Sequence, residues 1–207
     1  MSRGPASAAV AAAEAAFEAG VRAAGEADPL AAVAPLPVAL RPFAWEGLAS
    51  GFVGGGRLDA LAALASDPVR APFVEVGRGV AAGLSGAAVP TGEWAADGHG
   101  FGVGYTRGER ALCGAYADGA PTPRGWHLRG VGRAAWFWTR GSPTALQGAL
   151  SVVAPEDIDA ILEGVAFAAV FTRSDLASLA AISGRGAEAV ARGASRALAA
   201  RVAATGG

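Results

Sequence analysis

The chain has 207 residues and a net charge of −1, with acidic residues and arginines interspersed, and this pattern argues against nucleic-acid binding because no basic face emerges. The single cysteine, Cys113, excludes an internal disulfide and a cysteine-rich metal site. The only two histidines, His99 and His127, argue against a histidine-based metal site.

In chain order, the first predicted element is a helix over residues 7–25, which are almost all strong helix formers. Asp28-Pro29 predicts the start of a short helix, because Asp suits the N-cap and Pro suits the first helical turn. Prolines at 35, 37 and 42 interrupt the chain that follows. Three further helices are predicted at 43–52, 58–65 and 71–84.

The middle of the chain, 97–138, is dense in glycine and aromatic residues. Within it, the stretches GFGVGY and AAWFWT are compatible with short strands, and this alternative stays open. Ser142-Pro143 then predicts a helix start like that at Asp28. Apolar residues recur every third or fourth position downstream, which predicts helices at 157–171, 175–182 and 187–203.

The second half of the chain resembles the first. FAWEGLASGF at 43–52 is echoed by AILEGVAFAAVF at 160–171, which aligns Glu46-Gly47 with Glu163-Gly164. LAAL at 61–64 is echoed by LAAI at 179–182, and VGRGVAAGL at 76–84 by VARGASRAL at 190–198, which aligns Gly79 with Gly193. We therefore expect a duplicated helical unit with a ligand cleft between the copies.

These observations predict an all-α fold of two pseudo-repeated helical units joined by a glycine- and aromatic-rich segment. The predicted boundaries are 1–90 for the first unit, 91–130 for the connecting segment and 131–207 for the second unit, within one compact domain.

Glu46 and Glu163 occupy the matched position of the two units, each inside an apolar helix. One interpretation is a pair of buried carboxyl groups facing one cleft, where burial favours their neutral forms and suits acid–base chemistry. The other is a carboxylate that binds backbone amides or an arginine and fixes the packing. The presence of a glutamate in both copies favours the structural interpretation.

The segment DGHGFGVGY at 97–105 places Asp97, His99 and Tyr105 among glycines. Asp97 is a candidate to orient His99, whose imidazole exchanges a proton near neutral pH. The simpler interpretation, which we favour, is a tight turn into an irregular segment.

The segment GVGRAAWFW at 130–138 lacks the preceding strand and the lysine of a phosphate-binding loop, so it gives little support for nucleotide binding. Arg133 is a candidate partner for one of the two glutamates. Trp136, Phe137 and Trp138 are more typical of a hydrophobic core than of an aromatic ligand cage.

The motifs FAWEG, VGRGVAAGL, DGHGFGVGY, GVGRAAWF, LEGVAFAAVF and VARGASRALAARV follow one another in the order found in a bacterial family known as domain of unknown function 1702. The chain resembles this family from about residue 42 to residue 202. The matching positions are Glu46, Gly47, Gly77, Gly79, Asp97, Gly98, Gly100, Phe101, Gly130, Gly132, Arg133, Trp136 and Phe137. After Phe101 the family has a second polar, aromatic-rich stretch, where this chain has Gly102-Val103-Gly104-Tyr105.

Members of that family are often encoded in enediyne and other natural-product gene clusters, so the resemblance implies a role in specialised metabolism without specifying a reaction. We expect a protein without cofactor or metal that encloses an apolar, polyene-like intermediate. As an enzyme it would act by proton transfer, as a cyclase or isomerase. Asp97 and His99 are then the acid–base candidates, supported by Glu46 and Arg133. The expected pocket residues are Phe101, Tyr105, Trp136, Phe137 and Glu163.

The alternative is a binding or assembly protein that carries an intermediate or scaffolds biosynthetic enzymes. A third interpretation is a self-assembling structural protein, which small residues on the helix faces, such as Gly79 and Gly83, would permit.

Hydrophobic residues make up 52% of the chain, but no stretch reaches the roughly 18 consecutive apolar residues of a membrane span. The apolar N-terminal stretch contains Glu14 and Glu18 and lacks the positively charged start of a signal peptide. We therefore expect a cytoplasmic protein that forms a homo-oligomer and does not span a membrane.

Overall fold

The computed structural model of the protein describes residues 5–113, 124–174, 176–183 and 186–205. Within these ranges the chain forms α-helices and short 3-10 turns but no β-strand, which confirms the all-α prediction. The helices are α1 (Pro5–Ala23), α2 (Pro29–Val33), α3 (Arg41–Gly54), α4 (Leu58–Ala65), α5 (Ala71–Ser85), α6 (Glu93–Arg107), α7 (Arg124–Trp138), α8 (Pro143–Leu150), α9 (Ile158–Phe171), α10 (Leu176–Ser183) and α11 (Ala187–Thr205).

Two helix starts form as the sequence indicates. The Asp28 carboxylate accepts a hydrogen bond of 3.1 Å from the Ala31 amide at the start of α2. The Ser142 hydroxyl accepts one of 3.3 Å from the Ala145 amide at the start of α8. For the stretches GFGVGY and AAWFWT, short strands were the alternative, but the first lies inside α6 and the second forms the end of α7 and the turn residue Thr139.

The long helices pack in a series in which α1 contacts α3, α3 contacts α5, α5 contacts α6, α6 contacts α7, α7 contacts α9, and α9 contacts α11. Glycines allow each close approach. A Cβ atom at Gly47 in α3 would lie 2.0 Å from the Phe17 carbonyl oxygen in α1, a distance that no side chain tolerates. Most glycines inside these helices are therefore contact points with a neighbouring helix.

The contacts repeat in the two halves of the chain. Gly47 meets the carbonyl oxygen of Phe17 in α1, and Gly164 in α9 meets that of Arg129 in α7. This makes α1, α3 and α5 equivalent to α7, α9 and α11. Between these long helices, the short α2 and α4 correspond in chain order to α8 and α10.

A second equivalent contact shifts the sequence alignment by two residues. Gly77 in α5 meets the Glu46 carbonyl oxygen, as Gly193 in α11 meets that of Glu163. Gly79, which the sequence aligns with Gly193, instead meets Ala95 in α6, and Gly83 meets His99. The small face of α5 therefore packs against α6 within the same chain, so it is not the free assembly surface expected from the sequence.

Helix α6 lies between the two units and has no counterpart among the described helices. Gly98 approaches the Val76 carbonyl oxygen of α5 on one side, and Gly100 approaches the His127 carbonyl oxygen of α7 on the other. Two glycines, at positions i and i+2, thus contact different helices on opposite faces of α6. This arrangement brings α6 within reach of side chains from both units.

One hydrophobic core includes residues of both units, and aromatic rings occupy its centre. The ring centroid of Phe43 in α3 lies 5.8 Å from that of Phe171 in α9, edge to face. Phe73 in α5 contacts the same ring at 6.2 Å. Among the described residues, no helix is both long enough and apolar enough to cross a membrane.

Candidate functional site

An apolar cavity of about 160 Å³ opens between α1, α3, α5, α6 and α7. Its walls come mainly from hydrophobic side chains on all five helices. They are Phe17, Phe43, Val80, Leu84, Phe101 and Phe137. Four side chains with carboxyl or guanidinium groups also line the cavity, and two of them, Glu46 and Arg133, are buried. The cavity therefore combines a hydrophobic wall with one buried carboxyl group and one buried guanidinium group.

Arg133 lies between two carboxyl groups from different helices. Its Nη1 donates a hydrogen bond of 2.5 Å to Asp97 Oδ1 in α6, and its Nη2 donates to both Glu46 oxygens in α3 at 3.2 Å. All three side chains are at least 93% buried, since their side-chain exposures are 3%, 6% and 7%. The much shorter contact identifies Asp97 as the principal counter-ion of the guanidinium.

Burial raises the pKa of Glu46 from 4.5 to about 7. The positive charge and hydrogen bonds of Arg133 oppose this rise, and the nearby carboxylate of Asp97 reinforces it. One guanidinium cannot neutralise two buried carboxylates, so the second carboxyl group holds a proton near neutral pH. Glu46 is thus a carboxylic acid at the edge of an apolar cavity.

Glu163 occupies the equivalent position in α9 but has different surroundings. Its Oε2 accepts a hydrogen bond of 2.6 Å from Arg129 Nε, and its Oε1 accepts one of 2.7 Å from Arg192 Nε. Two guanidinium groups therefore neutralise one carboxylate. Glu163 does not line the cavity beside Glu46, so the paired-carboxylate interpretation does not describe the geometry, and Glu163 joins α7, α9 and α11.

The cavity entrance carries polar groups. The Tyr105 hydroxyl donates a hydrogen bond of 3.2 Å to Glu14 Oε1, and Arg140 binds the other oxygen of Glu14. Partial burial, together with the negative charge of Glu14, raises the pKa of Tyr105. Glu18 lines the same entrance.

His99 belongs to a different cluster from Asp97, although both lie on α6. His99 Nε2 lies 3.0 Å from the Ala87 carbonyl oxygen, so this nitrogen carries the proton and donates it. His99 Nδ1 is then an acceptor for His127 Nδ1, which is 3.1 Å away. The hydrogen bonds of Asp97 and His99 thus lead to different partners, and His99 does not line the cavity.

Burial lowers the pKa of both imidazoles. For His127 it falls from 6.5 to about 4, mainly through burial and secondarily through the neighbouring His99, Arg124 and Arg107. Burial likewise lowers the pKa of His99. This neutral pair connects α6 to α7 beside the close contact at Gly100.

The expected pocket residues divide into two groups. Phe101, Tyr105 and Phe137 line the cavity together with Glu46 and Arg133. Trp136 is fully buried but does not line the cavity, and its Nε1 donates a hydrogen bond of 3.0 Å to Thr172 Oγ1. Trp136 is therefore a core residue, which agrees with the interpretation of the aromatic run 136–138 as part of a hydrophobic core.

Several residues of the cavity wall were not predicted from the sequence to line a pocket, notably Phe17, Phe43, Val80 and Leu84. One signal was available for Phe17, since it is the one aromatic residue in the alanine-rich α1. The aliphatic residues of α5 carry no comparable signal, because every amphipathic helix has such positions.

Within the described ranges, no group of three or more His, Cys, Asp or Glu side chains is placed to hold a metal ion. Comparisons of this chain with protein-family models, with curated proteins and with solved structures found no match.

Proposed function

We propose that this protein binds an apolar, polyene-like intermediate of specialised metabolism and isomerises or cyclises it by proton transfer from Glu46, without a cofactor. One observation carries the proposal. The carboxyl group of Glu46 borders an apolar cavity and has a pKa of about 7, so it can both give and take a proton near neutral pH.

The cavity volume limits what can be enclosed. An engineered protein cavity of about 150 Å³ binds benzene, and the cavity here measures about 160 Å³. It would therefore hold a segment of roughly six to eight carbons, and the rest of a longer ligand would leave through the entrance beside Tyr105 and Glu14.

The proposed step is balanced in protons and electrons. Glu46 gives its proton to one carbon of a conjugated alkene, which leaves a delocalised carbocation and a Glu46 carboxylate. Arg133 stabilises that carboxylate, while the rings of Phe101 and Phe137 stabilise the cation. The carboxylate then removes a proton from another carbon, so that the product is an isomer and Glu46 regains its proton.

The biological setting of the proposal comes from the resemblance to domain of unknown function 1702 and its natural-product gene clusters. We further propose that the protein acts in the cytoplasm and as a homo-oligomer. Leu198 and Val202, which are more than half exposed on α11, are the candidate contact residues for self-association. Light scattering of the wild type and of a Leu198→Glu, Val202→Glu variant tests this last point.

The second candidate function is a carrier that binds the same intermediate without turnover. It is favoured by the location of Asp97 and His99, two of the four residues expected to be catalytic, outside the cavity lining. In a carrier, the contacts of Arg133 with Glu46 and Asp97 would serve only to hold α3, α6 and α7 together.

A single experiment separates the two functions. Purified protein is incubated in D₂O with octatriene, a neutral conjugated probe of eight carbons, and mass spectrometry follows deuterium in the probe. An enzyme incorporates deuterium, whereas Glu46→Gln binds the probe without incorporation. A carrier binds it with no deuterium in either form. Absence of saturable binding by the wild type would contradict both functions.

A genetic test examines the natural substrate. Deletion of the gene, followed by complementation with wild type or Glu46→Gln, is analysed by metabolite profiling. If the protein is an enzyme, the strain complemented with Glu46→Gln should accumulate one uncyclised or unisomerised precursor, as the deletion strain does. Restoration of the product by Glu46→Gln would rule out proton transfer by this residue.

A further inference from the structure

A second apolar groove lies on the other side of α5 and α6, where their first turns meet α11. Its volume is about 220 Å³. Its walls include Pro72, Phe73, Trp94, Ala199 and Ala203, and its charged residue is Arg196. This groove shares no lining residue with the cavity at Glu46.

The guanidinium group of Arg196 is held by aromatic rings. Its Cζ atom lies 4.0 Å from the ring centroid of Trp126 and 5.5 Å from that of Trp94. The guanidinium of Arg129 also lies against Trp126, at 4.3 Å. The indole of Trp126 therefore contacts two cations, which fixes the orientation of Arg196 without neutralising its charge.

Among the residues that the structure describes, Arg196 has no counter-ion in contact. Nearby Glu163 is already bound by Arg129 and Arg192, and among the described residues no carboxylate lies within ion-pair distance of Arg196. Burial and the positive charge of Arg129 lower the pKa of Arg196, against weaker opposing contributions from Asp97, Glu163 and Glu93. The guanidinium is thus half-buried, oriented by the tryptophan rings and without a carboxylate partner in the described part of the chain.

We propose that this groove binds an apolar carboxylic acid, with its carboxylate on Arg196 and its hydrocarbon part against Phe73, Trp94 and the alanines of α11. A guanidinium matches a carboxylate with two parallel hydrogen bonds, and partial burial strengthens them. One positive charge balances one carboxylate, whereas a phosphate dianion would leave excess negative charge between apolar walls.

The size of the groove sets the length of the acid. It is larger than the roughly 150 Å³ that accommodates benzene, so an acyl chain of about eight carbons or an arylalkanoic acid fits it. This proposal is independent of the function proposed for Glu46, because it concerns another ligand class at another surface.

Isothermal titration of the full chain with sodium octanoate tests the proposal, with octanol and octylammonium as probes of equal chain length. We expect saturable binding of octanoate, and weaker binding of both other probes. Arg196→Gln should weaken octanoate binding about tenfold or more, as the loss of a charge-assisted bidentate contact requires. Arg22→Gln, an equal charge change at an exposed arginine, should leave it unchanged.

A second variant protects the test against a folding defect in Arg196→Gln. Ala203 is exposed at the edge of the groove, so Ala203→Phe should fold normally and obstruct the hydrocarbon part of the ligand. Circular dichroism and the thermal midpoint check the fold of both variants. The proposal is overturned if octanoate shows no saturable binding, if octanol binds equally well, or if both folded variants bind octanoate like the wild type.

Discussion

Glu46 and Glu163 hold equivalent backbone positions, since each carbonyl oxygen accommodates a glycine of the next helix, but their carboxyl groups have opposite charge environments. Glu46 shares one arginine with Asp97, whereas Glu163 accepts hydrogen bonds from two arginines, Arg129 and Arg192. The repeated fold therefore contains one carboxyl group that shares a single guanidinium with a second carboxyl group, and one that is bound by two guanidinium groups. Only the first borders the cavity, and the difference leads to the following predictions.

The stability of the protein should depend on the protonation of Glu46. Its pKa is about 7 in the folded state and 4.5 when exposed, so the folded state binds more protons between these values. Stability is then fully present below pH 4.5 and falls as the pH rises towards 7, by up to about 3 kcal/mol. Glu46→Gln should remove this loss. In urea unfolding, the free energy of unfolding of the variant relative to that of the wild type should therefore be higher at pH 8 than at pH 5. A constant difference between the two proteins would contradict the raised pKa.

The histidine pair predicts the opposite pH dependence. His127 has a pKa of about 4 in the folded state and 6.5 when exposed, so the unfolded chain binds more protons between these values. Stability from this group is present above pH 6.5 and is lost as the pH falls towards 4. His127→Asn keeps a donor towards His99 but cannot protonate. We expect its unfolding free energy to be less sensitive to acid than that of the wild type, measured in the background of Glu46→Gln, where the opposing titration is absent.

Contacts between backbones at glycine should dominate stability. A Cβ atom at Gly79 would lie 1.9 Å from the Ala95 carbonyl oxygen, whereas one at Gly148 would meet nothing within 4 Å. Gly79→Ala should destabilise the protein by about 3 kcal/mol or more, because α5 and α6 must separate. Gly148→Ala in α8 should stabilise it by up to about 1 kcal/mol, because alanine favours helix. Equal thermal midpoints for the two variants would contradict the close approach of α5 to α6 at Gly79.

These glycines also explain which parts of the fold could be predicted from the sequence. Alanine-rich helices and N-caps such as Asp28 and Ser142 are local features, and they form where their residues indicate. The segment 97–105 is a poor helix by its own propensity, since each glycine costs up to about 1 kcal/mol relative to alanine. It is helical in α6 because those glycines allow contact with α5 and α7, which no local pattern reveals.

For the candidate site too, single residues could be predicted from the sequence, but contacts between helices could not. The sequence identified Glu46, Arg133 and Asp97 as individual candidates, because a charged residue within an apolar segment is conspicuous. It did not assign Asp97 to Arg133 or His99 to His127, since these pairs depend on the rotation of α6 against α7. Residues two positions apart on a helix, such as Asp97 and His99, point in directions about 200° apart.

Trp136 should contribute to stability and not to ligand binding. Its indole donates a buried hydrogen bond to Thr172 Oγ1, so Thr172→Val leaves that donor unsatisfied at a cost of about 1–3 kcal/mol. Thr172→Ser keeps the oxygen and should lose much less. Both variants should bind octatriene like the wild type in a titration, whereas Phe137→Ala should weaken binding because Phe137 lines the cavity. Weakened binding in Thr172→Val with an intact fold would place the tryptophan in the site after all.

The most direct test of the central claim is a carbon NMR titration of the protein with ¹³C-labelled glutamate carboxyl groups, in which Glu46→Gln assigns the signal of Glu46. We predict one glutamate signal that titrates near pH 7 and is absent from the variant. The contrary result is that the signal lost in Glu46→Gln titrates near 4.5, the ordinary value. Glu46 would then be ionised at neutral pH and could not be the proton donor of this cavity.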